Sequence, residues 1–124
     1  MIGTADGYAD FLRMLLNHGE LNGHRFLEES SVKEIYSPHT QLDNDYGYNG
    51  YNLWVTSSLN KEKGFGDEGL WTGGGYEGTH FWIDPKRDFV GLIMSQMFET
   101  PSQGHGRDNE IRGEIYKQIF KNEE

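Results

Sequence analysis

Along the first third of the chain, apolar residues return at helical spacing. Tyr8, Phe11, Leu12, Leu15 and Leu16 stand at i, i+3, i+4, i+7 and i+8, which predicts a helix over 5–18 with one apolar face. Thr4 or Asp6 suits its start, and Gly19, just past His18, suits its end. Asn22-Gly23 predicts a two-residue reversal. A second helix is expected over 28–36, with Glu28 and Glu29 at the positive end of its dipole and Pro38 as its stop. Then the pattern turns to alternation. Tyr51, Leu53 and Val55 share one face of a strand over about 48–56, and further β-prone segments follow at 69–73, 78–84 and 88–96. Asp84-Pro85-Lys86-Arg87-Asp88 puts proline at the second position of a tight turn and acids at its ends, so the last two segments should form an antiparallel hairpin. Residues 39–47, 57–66 and 101–106 are polar and glycine-bearing and read as loops. Ile111, Ile115 and Ile119 mark the apolar stripe of a last helix over 108–121, with Asp108 as its cap.

Helices and strands are thus segregated, which means α+β: one domain over 1–124, with helices flanking a three-stranded antiparallel sheet. Such a sheet has two exposed edges, and unpaired edges recruit partners.

Composition narrows the function. The 124 residues carry a net charge of −9, which excludes the basic footprint of a nucleic-acid binder and disfavours an anionic membrane surface. No apolar run approaches the ~20 residues that span a bilayer. Met1-Ile-Gly-Thr4 has no charged and apolar leader, so no signal peptide is expected. The absence of cysteine removes disulfides and thiolate sites. The five histidines (His18, His24, His39, His80 and His105) form no metal-ligand pair, so neither a metal nor any other cofactor is expected. His80, on a strand, reads as a packing or hydrogen-bonding residue. Trp54, Trp71 and Trp82 read as core and sheet-face aromatics rather than as a sugar-stacking surface.

The most informative stretch is Leu70 to Pro85. Gly73, Gly74 and Gly75 run into a β-prone aromatic segment. Three glycines in a strand have no side chains to pack and cost backbone entropy, so they suit a place where something must lie against bare main chain. They do not form a phosphate loop, since no Gly-Lys-Ser/Thr follows.

The segments together resemble the C-terminal part of the serine β-lactamase-related family: class C β-lactamases, penicillin-binding-protein-like peptidases and related esterases. The likeness runs through 4–23, 27–36, Tyr46-Gly-Tyr-Asn-Gly-Tyr-Asn-Leu-Trp54, the stretch from Gly78-Thr-His-Phe-Trp-Ile-Asp-Pro85 to Gln96, and 109–118, in the family's order. The resemblance implies acyl-serine hydrolysis of an ester or amide. A Ser-x-x-Lys supplies the nucleophile, a Tyr-x-Asn assists proton transfer, and a Lys-Thr-Gly-like triplet lines the far edge of the site, where a backbone N–H stabilises the oxyanion. Two registers fit that triplet. Trp71-Thr72-Gly73 would make Gly74 the oxyanion donor, and Gly73-Gly74-Gly75 would make it Tyr76. With neither Lys nor His in first place, the resemblance implies an esterase- or amidase-like relative.

The family's serine and tyrosine motifs belong upstream of the matched part. Ser30-Ser-Val-Lys33 fits Ser-x-x-Lys literally and is the one candidate nucleophile pair in the chain, but it falls in the second helix, where the family has an ordinary surface helix. The chain alone is therefore expected to be inactive, and its expected partner is the upstream half of the fold or a second copy of itself. The alternative is a non-catalytic module that pairs through its open sheet edge. Members of the family are often periplasmic or secreted.

Overall fold

A computed structural model describes residues 2–41, 46–75, 78–96 and 106–121. Four helices and two antiparallel sheets make up the described part. Helix α1, Ala5–Leu16, starts where Thr4 accepts a hydrogen bond from the Gly7 N–H at 3.1 Å. It ends in a Schellman motif, with the His18 N–H on the Leu15 carbonyl and the Gly19 N–H on the Met14 carbonyl. His18 itself takes the left-handed conformation there (φ 56°). Strands β1 (Glu20–Leu21) and β2 (His24–Arg25) form a small hairpin around Asn22 and Gly23, both at positive φ as a type I′ turn requires. Helix α2, Glu29–Tyr36, follows.

The main sheet has five strands in chain order, β3-β4-β5-β6-β7, rather than the three expected. The single strand expected at 48–56 is two short ones, β3 (Tyr48–Asn49) and β4 (Trp54–Val55), folded back on each other. Asn52 lies at φ 59° between them, and the Gly50 N–H donates to the Leu53 carbonyl. Tyr51 is therefore exposed at a turn and does not share a strand face with Leu53 and Val55. A short helix α3, Ser58–Glu62, replaces the expected loop. Its capping box escaped the pattern because Asn60 stands in for the usual Glu or Gln: the Ser57 N–H donates to Asn60 Oδ1 at 2.7 Å, and the Asn60 N–H donates back to Ser57 Oγ. Thr56 closes the segment that follows, donating from Oγ1 to the Asp67 carbonyl and accepting from the Leu70 N–H. Strands β5 (Trp71–Gly74), β6 (His80–Asp84) and β7 (Phe89–Ile93) form the longest part of the sheet.

Alternation along these strands sorts the side chains onto two faces. Trp71, Ile83 and Val55 pack with Leu12, Leu15 and Val32 in one apolar core beneath α1 and α2. Helix α4, Gly106–Ile119, covers the other face. It does not use the isoleucine stripe. Ile111 and Ile119 are exposed, whereas Asp108, Arg112, Tyr116 and Phe120, four residues apart, lie towards the sheet. The packing face mixes polar and aromatic groups as the sheet beneath it does: Asp108 faces His80, Tyr116 bonds Asp84, and Tyr116 and Phe120 pack on Phe89. In α1, similarly, Phe11 is left outside while Leu12, Met14 and Leu15 are buried.

Asp84 is the centre of that second face. It is 1 % exposed. It accepts from the Lys86 and Arg87 N–H groups of its own turn, from Arg87 Nη1 at 2.9 Å and from the Tyr116 hydroxyl at 2.8 Å. Every acceptor direction is used, which is what a buried carboxylate requires. Asp84→Ala strands two backbone donors and takes from Arg87 one of its two carboxylates, leaving Asp67, and should cost about 2–5 kcal/mol. Arg13→Ala, which breaks an exposed pair with Asp10 on α1, should cost less than about 0.5 kcal/mol. Urea unfolding of the two variants checks the contrast.

Candidate functional site

The glycine-rich end of β5 is built by a mismatch in strand lengths. Strand β6 pairs with β5 over its whole length, Trp71↔Ile83 to Gly74↔His80. Strand β4 pairs with only two of its residues, Trp54↔Thr72 and Val55↔Trp71. Past Thr72 the β4 side of β5 is left by the chain, which turns back through Asn52. The Gly75 N–H donates to the Thr79 carbonyl at 2.7 Å, so Gly75 and Gly73 direct their N–H groups towards β6. Gly74, between them, directs its N–H to the open side.

The three glycines are not equivalent. A Cβ on Gly73 would lie 2.4 Å from the Phe81 ring, so this glycine makes room for core packing. Gly74 and Gly75 are exposed, and a Cβ on them would meet nothing closer than 3.3 Å and 4.0 Å. Bare main chain is therefore presented at Gly74 and Gly75.

The other expected site residues fall as follows. Trp71 is buried and stacks on Tyr36 with ring centroids 4.4 Å apart, so its ring serves the core. Thr72 is on the opposite face, beside a small cavity of about 50 Å³ shared with His80, Asp108 and Arg112. Tyr76, the second oxyanion candidate, and His105 lie outside the described residues. Ser30 and Lys33 are both exposed on α2 and line none of the described cavities. The structure thus places Thr72 to Gly74 on β5 with Gly75 just past its end, and Ser30 and Lys33 on α2.

Sequence reasoning passed over the polar face between the sheet and α4. His80 Nδ1 stands 3.6 Å from Asp108 Oδ2. Arg112, 4 % exposed, donates from Nη2 to Asn109 Oδ1 and to the Phe65 carbonyl. Gly66, at φ 105°, is what lets Leu70 and the guanidinium close on the loop, since a Cβ there would lie 2.9 Å from Nη2. Burial pulls the Arg112 pKa down, against the charges of Tyr116 and Asp108. Burial pushes the Tyr116 hydroxyl well up, and its hydrogen bond to Asp84 adds to this, so it is a fixed donor at neutral pH. Burial alone would raise Asp67, but the hydrogen bonds and charges of Arg87 and Lys61 outweigh it and hold the carboxyl below its ordinary value. The legible signal for this face was the spacing of Asp108, Arg112, Tyr116 and Phe120. Among the described residues no cluster of His, Asp or Glu suits a metal ion.

No protein-family model matches the chain, and no curated protein matches it.

Two outcomes are expected from this geometry. Gly73→Ala should destabilise by about 1–3 kcal/mol through overpacking against Phe81, whereas Gly75→Ala should change stability by less than about 0.5 kcal/mol. Thermal unfolding of the pair separates the structural glycine from the displayed one. Second, because the folded Asp67 has a lowered pKa, its stabilisation is fully present above an unfolded pKa of about 3.9 and is lost as pH falls through the lower folded value. The stability gap between wild type and Asp67→Asn, less than about 1 kcal/mol for this partly exposed pair, should therefore close below about pH 4, as urea titrations at stepped pH would show.

Proposed function

We propose that this chain is the C-terminal portion of a β-lactamase-related serine hydrolase, contributing the sheet edge that lines an acyl-transfer site in the complete enzyme. One observation carries the reading: the Gly74 N–H stands on the side of β5 that β4 leaves unpaired, next to exposed main chain at Gly75. A fixed backbone donor on a bare strand edge is what a developing oxyanion needs, because it requires no reorganisation when charge forms. The register with Gly74 as donor is preferred, since both Gly74 and its open side are in view. In this reading Trp71 has a packing role and the edge is Thr72 to Gly75. The α+β order, the tight hairpin at Asp84-Pro85 and the last helix agree with the resemblance drawn from the sequence. The serine and its general base would come from outside the matched part, and the substrate would be a small ester or amide.

A second reading is a non-catalytic module that pairs through its sheet edge with a partner strand or a second copy. It is favoured by β7. This five-residue strand, Phe-Val-Gly-Leu-Ile, has β6 on one side and no strand on the other among the described residues. It carries neither the proline nor the charges that usually protect an edge.

Incubation of the folded chain with a fluorophosphonate ester, followed by intact mass, tests the first reading. No adduct is expected, while the complete enzyme should take up one equivalent on serine. A one-to-one adduct on the 124-residue chain, mapped to Ser30 and lost in Ser30→Ala, would sink it. Light scattering on the same sample reads the second: a concentration-dependent dimer supports edge pairing, and a strict monomer opposes it.

A further inference from the structure

Asparagine followed by glycine occurs twice in the chain, at Asn22-Gly23 and at Asn49-Gly50. The pair is chemically special. Glycine has no Cβ to shield its amide nitrogen, and its backbone is freer than that of any other residue. That nitrogen can therefore reach the side-chain amide of the asparagine before it. The fold treats the two pairs in opposite ways.

Asn49-Gly50 is clamped. The Asn49 N–H donates to Thr40 Oγ1 at 2.8 Å, and the Asn49 carbonyl accepts from the His39 N–H at 2.8 Å. The Gly50 N–H donates to the Leu53 carbonyl at 2.9 Å. Gly50 is also buried, so close to the Ile35 carbonyl that a Cβ would lie 2.0 Å from its oxygen. The nitrogen that would attack is thus held by a hydrogen bond and shut off from water. Asn22-Gly23 forms the tip of the β1–β2 hairpin, and both residues are exposed. Among the described residues the Gly23 N–H makes no hydrogen bond, and a Cβ on Gly23 would meet nothing within 4 Å. The strands that the tip joins have two residues each, so its opening costs little. The base of the hairpin stays fixed. Arg25 donates to the His18 and Leu27 carbonyls there, and the Phe26 and Leu27 N–H groups both donate to the Gly19 carbonyl.

We propose that Asn22 is a site of spontaneous deamidation. The Gly23 nitrogen attacks Cγ of Asn22. The N–Cγ bond forms, the Cγ–Nδ2 bond breaks, and the proton lost from the nitrogen leaves with Nδ2 as ammonia. The product is a five-membered succinimide, which water then opens. Addition at Cγ gives aspartate. Addition at the Asn22 backbone carbonyl gives isoaspartate, in which the chain runs through Cβ and Cγ. Either product adds a negative charge where Asn22 shares a groove with Glu20 and Asp88. Isoaspartate also lengthens the backbone by one carbon, which a two-residue reversal cannot absorb and keep its register. The reaction does not depend on the acyl-transfer reading.

The test is to hold the 124-residue chain in mildly alkaline buffer at physiological temperature, folded in one sample and unfolded in urea in the other. Peptide mapping by mass spectrometry follows Asn22 and Asn49 in both. In the folded chain Asn22 should convert at least about tenfold faster than Asn49, whose peptide must first open a buried, hydrogen-bonded segment. Aspartate and isoaspartate should both appear at residue 22. In urea the two rates should come within about twofold of each other, because both asparagines are then released from the fold. An Asn22 that stays intact in the folded chain while it converts in urea would overturn the proposal, as would equal folded-state rates at the two sites. Aspartate without isoaspartate at residue 22 would also overturn it, since that result means direct hydrolysis and no ring closure.

Discussion

The arrangement of the second face depends on burying one carboxylate. Asp84 ends β6, where a strand that is apolar on its other side turns back on itself. An isolated ionised carboxylate there would be prohibitive, so the surrounding structure is constrained to supply donors. Each donor recruits a different segment. The Lys86 and Arg87 N–H groups fix the shape of the hairpin turn. The Arg87 guanidinium, held against Asp84, extends to Asp67 and draws in the loop after α3. The Tyr116 hydroxyl docks α4. Arg87 then lies over the Tyr116 and Phe120 rings, 5.2 Å and 5.6 Å from their centroids, so the charge that neutralises Asp84 also seats the aromatic end of the helix. One acidic residue thereby coordinates a turn, a loop and a helix that share no backbone pairing.

The glycines answer a different constraint, the thickness of the sheet under its aromatic residues. Gly73 lies beneath Phe81, and Gly91 beneath Trp82, whose ring atoms would approach a Cβ to 2.1 Å. The two large rings of β6 thus point to opposite faces, and each is accommodated by a glycine on the neighbouring strand, β5 for Phe81 and β7 for Trp82. Of the glycines at 73, 74, 75 and 91, Gly74 and Gly75 have no ring pressed so closely against them. A run of three glycines therefore contains two distinct physical roles, and only the displayed pair bears on ligand contact.

That division explains how far the sequence could be read. Elements whose determinants are local were legible: the Thr4 cap, the Asn22-Gly23 reversal, the Asp84-Pro85 hairpin and the helical spacing of Leu12 and Leu15 each act over four residues or fewer. The division of 48–56 into two strands was not, because Tyr51 continues the alternation while Asn52 adopts a left-handed conformation. The face of α4 was misread for a tertiary reason. Hydrophobicity pointed to Ile111, Ile115 and Ile119, yet the sheet opposite offers His80, Asp84 and Phe89, which the Asp108, Tyr116 and Phe120 face matches with polar and aromatic contacts. Of the candidate site, the bare main chain was legible in the glycine run. That Trp71 packs in the core, and that only one side of β5 is open, depended on how far β4 extends, which no local pattern encodes.

The exposed isoleucines and the β7 edge, which no strand covers among the described residues, bear on the functional reading through one common argument. An isolated fold of this size gains little from leaving apolar side chains on the outer face of its last helix and a charge-free strand at its border. Both features are economical if further structure covers them. A second copy could pair at β7, but a strand partner would leave the outer face of α4 unexplained unless it also brought a helix. On the reading proposed above, the upstream part of a larger fold would answer both needs at once, with strands added at β7 and helices laid on α4. The proposal of a C-terminal portion thus draws on what the surface lacks as well as on the oxyanion geometry at Gly74, and these two lines of support are independent of each other.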